Sequence, residues 1–134
     1  MEYEILPHTA DLRIRARGKT LEELFRNALR GMSSVMQPQA FDRQADVERE
    51  IALKSPDQPS LLVDFLAEAL TLVQINREVY SDVIFGELSQ TSLRATLSGV
   101  RVSEFAEDIK AVTYHGVEIK ETDAGYEATV VYDI

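Results

Sequence analysis

The sequence predicts an α+β fold: a single domain over residues 1–134, with a mainly antiparallel β-sheet of about seven strands packed with two helices. Three observations predict it. Two segments carry apolar residues at helical spacing behind capping residues, and most other apolar segments alternate with a period of two. These runs do not follow the regular strand–helix alternation of a parallel wound sheet. The third is size: 134 residues, 45% of them apolar, bury one core of ordinary size and leave little for a second.

The elements follow in order. Leu12, Ile14 and Ala16 alternate with Arg13, Arg15 and Arg17, which predicts a half-buried strand ending at Gly18. The arginine row reads as the solvated outer face of an edge strand, with phosphate or an acidic protein surface as its alternative partner. Thr20-Leu21-Glu22-Glu23 is a capping box, and Leu24, Phe25, Ala28, Leu29 and Met32 continue at helical spacing. Val47, Ile51 and Leu53 share one face of a strand, and Pro56 and Pro59 bracket a turn. Ser60 is placed to cap a second helix running to about Asn76, apolar around so much of its circumference that it is expected to be buried centrally. Val79 to Leu88 and Ser92 to Leu97 read as a hairpin. Phe105 to His115 is ambiguous, with Val112, Thr113 and Tyr114 tipping it toward strand. Val117 and Ile119, the Asp123-Ala124-Gly125 turn and alternating Tyr126, Ala128, Val130 and Tyr132 predict a C-terminal hairpin.

Charge and composition narrow the function. With 23 acidic against 14 basic residues the net charge is −9, which opposes stable binding to nucleic acid on the chain's own account. No run approaches the roughly 18 apolar residues of a membrane helix, and Met1-Glu2-Tyr3-Glu4 lacks a basic leader, so a soluble cytoplasmic protein is expected. The absence of cysteine removes disulfides, thiolate metal sites and thiol nucleophiles. There is no Gly-rich phosphate loop, no Gly-x-Ser-x-Gly elbow and no His-Glu-x-x-His.

Three places remain for chemistry. Pro7-His8-Thr9-Ala10-Asp11 precedes the first predicted strand, where His8 is equally an ordinary imidazole and Asp11 a turn-capping carboxylate. In Ile109-Lys110-Ala111-Val112-Thr113-Tyr114-His115, a strand would put Lys110, Val112 and Tyr114 on one face, although such lysines commonly just reach solvent. At Tyr132-Asp133-Ile134 a terminal carboxylate would add a second anion beside Asp133. Joined by Asp11, these oxygens would suit a hard cation, calcium first and magnesium second, whereas zinc prefers imidazole or thiolate. A frayed, solvated strand end is the ordinary alternative.

His8-Thr9-Ala10-Asp11, the helix start Gly18-Lys19-Thr20-Leu21-Glu22-Glu23-Leu24-Phe25, Ile109 to His115 and the closing Asp133-Ile134 together strongly resemble the archease family, in an order that spans nearly the whole chain. Asp64-Phe65-Leu66-Ala67-Glu68-Ala69-Leu70 resembles it more loosely, with Phe65 and Ala67 where the family commonly has Trp and Asn.

The resemblance implies an accessory protein, not an enzyme, whose partner is the tRNA-splicing RNA ligase that joins a 3′-phosphate or its cyclic form to a 5′-hydroxyl. Its role would be to promote guanylylation of the ligase and repeated turnover. The resemblance also implies that Asp11, Asp133 and Ile134 hold a divalent metal, and that Lys110, with His8 and His115, contacts the ligase or a nucleotide phosphate. Two other readings stand beside it: a metal-dependent hydrolase using Asp11 and Asp133 with His8 or His115 as base, and a general chaperone or modulator of RNA-modifying enzymes.

Overall fold

The structure is a computed structural model that describes residues 2–6 and 11–134. His8 and the turn around it therefore lie outside the described residues. The elements run β1 Tyr3–Leu6, β2 Leu12–Gly18, α1 Leu21–Met36, a short 3₁₀ turn at Pro38–Asp42, β3 Val47–Lys54, α2 Gln58–Asn76, β4 Glu78–Leu88, β5 Ser92–Arg101, β6 Ala111–Thr113, β7 Ile119–Thr122 and β8 Gly125–Asp133.

Local chemistry sets the helix ends. The Thr20 hydroxyl accepts the Glu23 N–H at 3.1 Å, as the capping box predicts, and Asn27 on the first turns donates to the Arg17 carbonyl at 2.7 Å, tying α1 to β2. The second cap is Asp57, not Ser60: its carboxylate accepts the Ser60 N–H at 2.8 Å. Pro59 then sits in the first turn of α2, where its missing N–H costs nothing. At the other end Arg77 turns the chain with φ 53°, and its N–H closes onto the Val73 carbonyl.

All strand pairing is antiparallel, in two sheets. The first has the order β1-β2-β8-β6, with β7 also on β8; the second is β3-β5-β4. The predicted hairpins are β4–β5 and β7–β8. Gly125, with φ 130°, begins β8 after the second turn and lies so close to the end of β2 that a Cβ there would stand 2.3 Å from the Gly18 carbonyl oxygen. Inner-face residues of both sheets (Ile14, Val130, Val83, Leu97) join Leu29, Met32, Leu62 and Leu66 of the helices in one core. Its aromatic centre is Phe25, Phe65 and Phe85, with ring centroids 5.7, 6.3 and 5.8 Å apart. Truncating Phe25 or Phe65, both fully buried, to Ala would cost about 3–5 kcal/mol.

Among the described residues there are eight strands, close to the seven or so expected, with Tyr3–Leu6 the addition. Two expectations change. The arginine-bearing β2 is consequently an inner strand between β1 and β8, not an edge. Within Phe105 to His115 only Ala111–Thr113 is strand.

Candidate functional site

Sheet register assembles one corner of the molecule. Leu12 pairs with Tyr132, so the residue before Leu12 and the residue after Tyr132, Asp11 and Asp133, leave the sheet side by side. Leu12 and Tyr132 point into the core, and alternation turns Asp133 outward, where it is exposed. On the other flank of β8, Ala111 pairs with Asp133, and the Lys110 N–H donates to the Asp133 carbonyl at 2.8 Å. Asp11, Asp133, Ile134 and Lys110 thus meet at the common end of three neighbouring strands, though they lie far apart in sequence.

Lys110 precedes β6 rather than sharing a strand face with Val112 and Tyr114. Ile109 beside it is fully buried and its carbonyl accepts from Gln74, whereas the Lys110 side chain is exposed. His115 follows β6 and, with Asp11, Arg13, Gly116, Thr129 and Val131, lines a hollow of about 340 Å³ on the outer face of β2 and β8. Arg13 forms no ion pair among the described residues, whereas Arg15 and Arg17 are held by Glu4 at 3.3 and 2.9 Å, and Arg17 also by Glu127 at 2.8 Å. Among the described residues the arginine row is therefore neutralised at two of its three positions and not at the one nearest Asp11.

Sequence reasoning missed one support of this corner. Asp64 on α2 accepts hydrogen bonds from the Ser55 hydroxyl and from the phenol of exposed Tyr114, anchoring the chain just before His115. That carboxylate bond raises the Tyr114 pKa. Asp64 reads in sequence as an ordinary polar residue of a helix, and nothing in the pattern pairs it with a residue 50 positions away. Tyr132, next to Asp133, is fully buried with its hydroxyl unpartnered among the described residues, and burial pushes its pKa up.

The corner offers two side-chain carboxylates, from Asp11 and Asp133, together with main-chain oxygen. Among the described residues no group of three or more His, Asp or Glu side chains comes together elsewhere or here. A cation at this place would therefore draw on the main chain at Ile134 as well as on the two carboxylates, a donor set of oxygen alone that fits calcium or magnesium better than zinc.

The profile of the Archease protein family matches residues 3–134. The chain belongs to the archease family. The archease of Methanosarcina barkeri is 43% identical, with 99% of this chain and 96% of that protein aligned. The archease of Methanothermobacter thermautotrophicus is 33% identical over 98% of each. Among solved structures, the solution structure of Methanobacterium thermoautotrophicum protein 1598 superposes with a TM-score of 0.82 at 31% identity, covering 99% of both chains. The crystal structure of an archease from Thermotoga maritima, described as a possible chaperone, shares the fold with a TM-score of 0.65 at 19% identity. By family the chain is an archease-type accessory protein. No helix among the described residues is long and apolar enough to cross a membrane.

Proposed function

We propose that this archease activates the tRNA-splicing RNA ligase in the cytoplasm, promoting guanylylation of the ligase and repeated turnover without joining RNA itself. The observation that carries the proposal is the convergence of Asp11, Asp133 and Lys110 at one strand end in a chain of net charge −9. Two carboxylates brought side by side repel unless a cation or proton intervenes. With Ile134 they suit calcium first and magnesium second. When bound, such an ion supplies charge neutralisation for phosphoryl transfer from a nucleotide.

The chain's own residues do the rest. Asp11 and Asp133 would hold the cation at this corner. Lys110 presents a point charge on the same corner for nucleotide phosphate or the ligase, and its position is fixed through its main chain, which leaves the ammonium free to reach outward. His115 and Arg13 border the adjoining hollow and would meet the same partner. An acidic surface approaches a cationic ligase site at a favourable rate, whereas it repels bare tRNA.

The test is to add the purified protein in substoichiometric amounts to the ligase with guanine nucleotide and measure covalent guanylate and ligated product. Both should rise, with no ligation by the protein alone. No change with a competent, under-guanylylated ligase would refute the proposal. A hydrolase reading has one observation in its favour, His115 beside Asp11 in one hollow, and would show as metal-dependent phosphoester cleavage by the isolated protein. Activation of several unrelated RNA-modifying enzymes would instead indicate a general chaperone.

A further inference from the structure

The two edges of the sheet β3-β5-β4 are finished differently. On the β4 side, the carbonyls of Tyr80, Ser81 and Val83 accept from Ser33, Arg30 and Arg26 of α1 at 2.6, 3.2 and 3.3–3.4 Å. Irregularities between Tyr80 and Asp82 and between Phe85 and Glu87 break that strand's register as well. This edge is closed by a helix and by bulges.

The β3 side has no such cover. The Ser55 N–H donates to the Thr91 carbonyl at 2.8 Å, and the register continues through Leu53↔Leu93, Ile51↔Ala95 and Arg49↔Leu97. In an antiparallel ladder the bonded positions alternate, so Arg49, Ile51 and Leu53 spend their main-chain groups on β5. Glu48, Glu50, Ala52 and Lys54 point theirs off the sheet. Among the described residues none of those eight groups has another partner. All four side chains are exposed on the outer face, and an open hollow of about 680 Å³ borders Glu48, Arg49, Glu50 and Leu72.

We propose that β3 pairs antiparallel with β3 of a second copy, joining two three-stranded sheets into one continuous sheet across a twofold axis. The number of paired positions and the charges together set the register. Only a pairing centred on Ile51 brings all four outward residues opposite one another, and it sets Glu48 against the partner subunit's Lys54 on both sides of the axis, with Glu50 against the partner subunit's Ala52. Moving the centre to Glu50 would place two glutamates face to face. The eight outward main-chain groups on each strand then bond across the axis. A two-strand junction is a small interface, and the −9 charge on each copy opposes it, so the association is weak and reversible.

Asp11, Lys110 and Asp133 lie at one end of the other sheet, so dimerisation and ligase activation can fail separately. Sedimentation equilibrium from micromolar to millimolar protein tests the pairing. The wild type should fit a monomer–dimer equilibrium. Ala52→Pro removes one outward N–H without touching the β5 ladder and should weaken association about tenfold or more, with circular dichroism confirming an unchanged fold. Glu48→Lys and Lys54→Glu should each weaken the dimer, and the double exchange should restore it, which no effect on folding alone would produce. A wild type that stays monomeric throughout, or single reversals that leave the equilibrium unmoved, would overturn the proposal.

Discussion

Arg49 on β3 grips both carboxylate oxygens of Glu78 at the start of β4, with Nε–Oε1 at 2.9 Å and Nη2–Oε2 at 2.7 Å, spanning the width of the second sheet. The Glu78 side chain is wholly buried, and the Tyr80 hydroxyl donates to it at 2.8 Å. A buried carboxylate is tolerated only with its partners in place. The Arg49 hydrogen bond, with help from Tyr80, lowers the Glu78 pKa below its reference value of 4.5 despite desolvation, and burial beside that carboxylate pushes Tyr80 up to about 12.

Because the folded-state pKa of Glu78 is depressed, its contribution to stability is complete above the unfolded value near 4.5 and is lost as pH falls through the folded value. Urea midpoints measured from pH 6 downward should decline in wild type. Replacing both partners, Arg49→Leu with Glu78→Leu, should flatten that decline, while Arg49→Leu alone should destabilise most, since it strands the carboxylate. Equal pH profiles for wild type and the double variant would show that other carboxylates govern acid unfolding.

Calcium titration followed by thermal unfolding checks the metal corner. Binding to the folded state alone stabilises by about 2.7 kcal/mol at a hundredfold excess over the dissociation constant. Wild type should gain melting temperature with calcium, less with magnesium, and Asp11→Asn or Asp133→Asn should each erase the gain. A gain preserved in both variants would place any bound ion elsewhere.

Lys110→Ala should melt with wild type, because the exposed side chain makes no contact on which packing depends and the variant keeps the N–H that bonds Asp133. Guanylylation of the ligase should nevertheless fall. Full activation by the variant would reduce Lys110 to a solvated residue.

Tyr132→Phe should stabilise the chain by about 1 kcal/mol in urea, since it deletes a buried hydroxyl without a partner among the described residues and leaves the ring in place. A loss of stability would reveal a hydrogen bond to that hydroxyl.

Long periodic elements were legible in the sequence, and elements made by distant partners were not. Thr20 and the stripe from Leu24 to Met32 announced α1, and alternation announced β2, β3, the β4–β5 hairpin and β8. Tyr3–Leu6 is short and carries little alternation, so its pairing onto β2 depends on register found only in three dimensions, and with it went the placement of β2 inside the sheet. Asp57 and Ser60 are both capping residue types, so the sequence alone does not choose between them, and Pro59 reads equally as a turn or a first helical residue. At the site, Asp11, Asp133 and Lys110 stand out in the sequence as residue types suited to chemistry, and the resemblance to the archease family implies their roles; spacing alone does not bring them together. The fold adds their shared strand end, along with Arg13 and the Asp64–Tyr114 anchor.

The position of β8 bears on how the molecule is made. It is the last strand in sequence, yet it lies between β2 and β6 and also carries β7, and its pairing with β2 joins residues more than a hundred positions apart. The second sheet spans only Val47 to Arg101 and can form from that stretch. The first must wait until translation has passed Asp133. Until then β2 keeps one hydrogen-bonding edge unpaired and α1 lacks part of the sheet it packs on, which makes a nascent or truncated chain the form most exposed to aggregation, and closure of this long-range pairing the expected slow step of folding.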